Sequence, residues 1–101
     1  MKIIKVLAQK IAEEMHDAEE YAKLAFVWRS ESPEVSDVFL TLSKQEVTHV
    51  NMLHSQAERK ITAYKDEGNE VPPPMQALWD WEHEKMIDGM ARIRAMQEMV
   101  R

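Results

Sequence analysis

Two glutamates and a histidine carry the chemistry this sequence offers. Glu46 and His49 stand three residues apart in the run Gln45-Glu46-Val47-Thr48-His49. On a helix, that spacing puts both side chains on one face. At about 100° per residue, they fall inside an apolar stripe of Val35, Val38, Phe39, Leu42, Leu53 and Ala57. Glu14 falls in the middle of another stripe, Ile4, Leu7, Ile11, Ala18, Tyr21, Ala22 and Ala25. A carboxylate turned among apolar neighbours is costly unless it takes up a proton or meets a cation. Carboxylate oxygens and neutral imidazole together suit divalent iron, manganese or zinc. Glu14, Glu46 and His49 are therefore read as metal ligands. Glu82 is a fourth candidate, because it lies within the stripe Met75, Trp79, Met86, Met90, Ile93 and Val100. His83 sits near the edge of that stripe and Glu84 points away from it. Without a metal, the same residues would form a buried polar network of carboxylates, His49 and Tyr21.

A short Glu-x-x-His pattern arises often by chance, and Glu13-x-x-His16 in this chain is one such case. Its residues fall off the apolar stripe, so they are read as solvated. His16 and His54 are both expected at the surface. Met86, Met90 and Met96 lie along one side of their segment and are read as helix-interface fillers, not as a copper site.

Positioning these ligands requires helices, and the breakers divide the chain accordingly. Ser32-Pro33 offers an N-cap and an N1 proline. Asp66-Glu67-Gly68-Asn69, followed by Pro72-Pro73-Pro74, ends one segment and starts the next. The segments 3–29, 33–65 and 74–100 are rich in Ala, Leu, Met, Glu, Lys and Gln, which favour helix. No period-two alternation is long enough for a strand. The expectation is an all-α chain forming a single domain over 1–101.

Composition removes several function classes. Thirteen basic and 18 acidic residues leave a net charge of −5, with no basic cluster to meet a nucleic-acid backbone. Cysteine is absent, which excludes disulfides, thiol catalysis and iron–sulfur clusters. With 2 glycines there is no glycine-rich phosphate loop. The short apolar runs span no membrane, and the first residues contain no signal-peptide h-region. A cytoplasmic location is the default expectation.

Glu14-x6-Tyr21 on the first helix and Glu46-x-x-His49 on the second, with Phe39 seven residues before Glu46, resemble the ferritin-like superfamily of di-metal carboxylate proteins, including the rubrerythrins. The likeness covers about residues 5–58. It implies an antiparallel helix hairpin followed by a third, C-terminal helix. A complete bundle of that kind takes a Glu from each of two helices and a Glu-x-x-His from each of the other two. This chain has half that set. Two copies facing across a twofold axis would complete both the ligands and a four-helix core, as in the short encapsulated-ferritin branch, which the chain is similar to in length and layout. No tail follows the last helix, so loading into an encapsulin shell is not expected.

The resemblance implies two iron ions per dimer, with manganese or zinc as alternatives, and oxidation of Fe(II) by dioxygen or peroxide. Glu46 would bridge the ions, His49 would be a terminal ligand, and Glu14 either. A homo-oligomer, at least a dimer, is also expected from the apolar residues off the main stripes, Val27, Leu40, Val47 and Trp81. The competing expectation is a non-enzymatic helical oligomerisation module without metal. It would be favoured if Lys or Arg were paired with Glu14 and Glu46.

Overall fold

The computed structural model describes residues 2–100. The ends of the expected domain, Met1 and Arg101, lie outside the described residues. Three α-helices make up the structure, α1 (Lys2–Trp28), α2 (Pro33–Asp66) and α3 (Pro73–Met99), with no strand among the described residues. Each boundary falls within a residue or so of the breakers. Gly68 has φ 84°, a conformation glycine adopts without steric cost. Its N–H donates to the Lys65 carbonyl (3.0 Å) and the Asn69 N–H to the Tyr64 carbonyl (3.3 Å), which is a Schellman closure of α2. Ser32 occupies the N-cap of α2 as expected, but its hydroxyl makes no capping bond. The N1 proline removes one of the donors the cap would otherwise have to satisfy.

α1 and α2 pack antiparallel over most of their length, and α3 lies mainly against α1, touching α2 sparingly. The molecule is a rod, 57 × 17 × 17 Å. Buried residues recur every seven positions: Ile4, Ile11, Ala18 and Ala25 on α1, and Ser36, Ser43, Val50 and Ala57 on α2. That repeat keeps one seam between two helices over many turns.

The α2 core differs from the expected stripe. Two buried serines on α2 meet alanine carbonyls of α1 at the seam. Ser36 Oγ donates to the Ala25 carbonyl (2.6 Å) and Ser43 Oγ to the Ala18 carbonyl (2.7 Å). Small side chains let the backbones draw near, and the hydroxyls find acceptors there. The larger residues are turned aside. Val35 and Val38 are 43 % and 57 % exposed, and Phe39 and Leu42 are half-buried. Val47, expected off the core, packs against it instead, and Leu40 is half-buried. Val27 and Trp81 are exposed as expected.

α3 accounts for this. It covers one flank of the hairpin, where Gly89 closes on Met15 so tightly that a Cβ would strike the Met15 methyl. Arg92 Nε reaches Glu19 on the same flank (3.1 Å). Gln97 Nε2 donates to Ser43 Oγ (2.9 Å), tying α3 to the seam. The other flank of the hairpin, carrying Val35, Val38 and Leu42, is left open.

Candidate metal centre

Antiparallel pairing sets the register that assembles the site. Ser43 meets Ala18, so one turn further along α2 the side chains of Glu46 and His49 reach the level of Glu14. All three lie near the middle of their helices, on the flank α3 does not cover. One ligand atom from each of Glu14, Glu46 and His49 lies within 4.8 Å of the others.

His49 Nδ1 is 3.6 Å from Glu46 Oε1 and 3.8 Å from Glu14 Oε2. Both distances exceed hydrogen-bond length. They lie at or a few tenths of an ångström beyond the roughly 3.0–3.6 Å between two donors on one ion with bonds of about 2.0–2.2 Å, so small side-chain rotations would bring the three groups onto a common ion. Burial grades across the site. The Glu46 side chain is 16 % exposed, Glu14 29 % and His49 49 %. Glu46 Oε2 is fully buried and has no hydrogen-bond partner. Among the described residues, no Lys or Arg pairs with Glu14 or Glu46, whereas Glu13, Glu19 and Glu20 on the outer faces all do.

The donor set fits a divalent cation. It offers two carboxylates, one of them with an orphaned buried oxygen, and an imidazole whose facing nitrogen is not hydrogen-bonded to either. Around it lie apolar and aromatic groups: Tyr21 and Phe39 stack with centroids 6.2 Å apart, and Leu7 and Leu53 are half-buried. Tyr21 lies on the same flank two turns from Glu14.

Glu82 is not among the converging donors. It lines a cleft between α1 and α3 with Met15, His16 and Arg92. His16 is exposed, as expected.

His54 departs from expectation. Its side chain is only 14 % exposed, because it occupies a seam position in the series Val47, Val50, His54, Ala57, Ile61. That three-and-four spacing is the signal by which the sequence could have placed it inward. His54 Nε2 lies 3.0 Å from His83 Nδ1, and His54 Nδ1 lies 2.8 Å from Glu58 Oε1. The Trp79 ring stacks on His54 with centroids 5.4 Å apart. Burial lowers the His54 pKa below the ordinary 6.5; Glu58 opposes this and His83 adds to it.

No helix among the described residues is long and apolar enough to cross a membrane. The chain matches no protein-family model, no curated protein and no solved structure.

Proposed function

We propose that the chain is a ferritin-like di-metal protein whose centre forms between two copies, binding iron and handling Fe(II). The observation that carries this reading is the Glu14, Glu46 and His49 cluster: two carboxylates without a Lys or Arg partner, one with a buried orphan oxygen, on an open apolar flank. Glu14, Glu46 and His49 of each copy would hold the ions, with Glu46 serving both. Bound iron would supply one-electron redox chemistry toward dioxygen or peroxide. The chain's part is to concentrate negative charge, to present an imidazole nitrogen, and to shield the centre with Tyr21, Phe39, Leu7 and Leu53.

The second copy follows from the same flank. Val35, Val38 and Leu42 lie on the α2 face that carries His49, and they leave apolar surface next to half-exposed ligands. A second hairpin laid across it would bury that surface and double the donors. The centre lies near mid-length of both helices, so a twofold axis through it keeps the overlap long. The ion pairs that would favour a metal-free interaction module are absent from Glu14 and Glu46 among the described residues.

The test is iron titration of the purified chain alongside Glu46→Ala and His16→Ala. The reading expects two irons per dimer in the wild type and in His16→Ala, and none in Glu46→Ala. Two irons per dimer retained by Glu46→Ala would overturn it.

A further inference from the structure

We propose that His54 and His83 form a second metal site on the α2–α3 side of the molecule, taking an imidazole-preferring divalent ion, zinc(II) or copper(II). The two rings lie 24° from parallel with centroids 5.0 Å apart and meet through their nitrogens, His54 Nε2 and His83 Nδ1, at 3.0 Å. Two imidazole nitrogens bound to one ion at about 2.0–2.1 Å stand roughly 3.0–3.4 Å apart. Ligation therefore requires the rings to turn toward a common point while their separation hardly changes.

Glu58 prepares the first ligand. Its Oε1 lies 2.8 Å from His54 Nδ1, so that nitrogen keeps the proton and donates it to the carboxylate, and Nε2 carries the lone pair. A carboxylate on the far nitrogen of a ligating histidine fixes tautomer and ring orientation and raises ligand basicity. The Trp79 ring against His54 holds the plane of the imidazole. In the metal-free pair His83 Nδ1–H donates to His54 Nε2. With an ion bound, His83 releases the Nδ1 proton to solvent and takes one up at Nε2, so that Nδ1 ligates and both rings remain neutral. The donor set is nitrogen-rich, unlike the carboxylate-rich centre at Glu14 and Glu46, and zinc and copper favour it over iron or manganese. Because the ligands come from two helices that otherwise touch little, the ion would also clamp α3 to α2.

This inference does not depend on the reading of the first centre, and the test separates them. The full-length double variant Glu46→Ala/His49→Ala removes donors of the first centre. It is titrated with copper(II) and read by electron paramagnetic resonance, and with zinc(II) and read by calorimetry. One ion per chain with two imidazole nitrogens is expected. Adding His83→Gln should abolish the two-nitrogen signature. Adding Glu58→Gln should keep the signature and weaken binding about 10- to 100-fold. Failure to bind, or an unchanged signature in the His83→Gln protein, overturns the proposal and leaves a hydrogen-bonded histidine pair only. Should the double variant not fold, His83→Gln in the wild-type chain must remove one copper per chain; full retention overturns the proposal equally.

Discussion

Replacing Glu46 by Met should stabilise the metal-free protein while removing its iron binding. Glu46 Oε2 is buried without a partner, and a buried unsatisfied polar group costs about 1–3 kcal/mol, more when charged. A ligand oxygen of Glu14 lies within 4.8 Å. Two like charges at that distance repel by about 3 kcal/mol at an effective dielectric of about 20, and by under about 1 kcal/mol in water. The site is part-exposed, so the repulsion falls between those bounds. Met has a similar length, carries no charge and adapts to irregular apolar surroundings. The expected gain is about 1–3 kcal/mol, which for a domain of this size raises Tm by about 4–8 °C per kcal/mol. The assay is urea and thermal unfolding in chelator, at matched protein concentration. Glu13→Met, at an exposed site where Glu13 meets only Lys10 (3.0 Å) and Gln9 (3.5 Å), should stay within about 0.5 kcal/mol of wild type. Adding iron should raise the wild-type Tm and leave Glu46→Met unchanged. If Glu46→Met lost a kcal/mol or more in chelator, Glu46 would be making a stabilising contact, and the strained-ligand reasoning would fail.

Three further outcomes are expected. Ser43→Ala leaves Gln97 Nε2 without its buried acceptor and removes the bond to the Ala18 carbonyl, so it should cost about 1–3 kcal/mol in chemical denaturation; Thr48→Ala, whose hydroxyl is exposed, should cost far less. Val38→Asp places a charge on the open α2 flank without touching the core, so sedimentation should show loss of association while circular dichroism stays helical; a dimer that survives would move the interface elsewhere. In metal-free protein, His54, facing Glu58 and His83, has its folded pKa lowered by burial, so the unfolded chain binds the proton first as pH falls. Its contribution is present in full above about pH 6.5 and is lost as pH falls toward the folded value; His54→Gln should flatten that part of the stability–pH curve, and an unchanged slope would refute the assignment.

The helix boundaries could be read from Pro33, Gly68 and the three prolines because those residues act locally, through missing donors and a positive φ. The convergence of Glu14, Glu46 and His49 could be read because helical angle depends only on residue number. The α2 core could not be read in the same way. Hydropathy places Val35 and Val38 inward, yet Ser36 and Ser43 take the seam, since backbone proximity and carbonyl acceptors on α1 reward a small hydroxyl over a branched side chain. Val47 and His54 belong to the three-and-four series of the seam, which the hydropathy of Val35 and Val38 outweighs on a single-helix wheel, and Trp79 and His83 of α3 then cover His54. For Glu82 the wheel gave the stripe but not the neighbour: α3 sets it against Met15 and His16, on the flank away from Glu14.

Native mass spectrometry of the iron-loaded chain tests the central claim most directly, since it counts chains and ions in one particle. The account predicts a dominant species of two chains carrying two irons, with Glu46→Ala free of iron. A monomer that holds iron, or a dimer that takes up none at saturating Fe(II), would contradict a centre shared between Glu14, Glu46 and His49 of two copies.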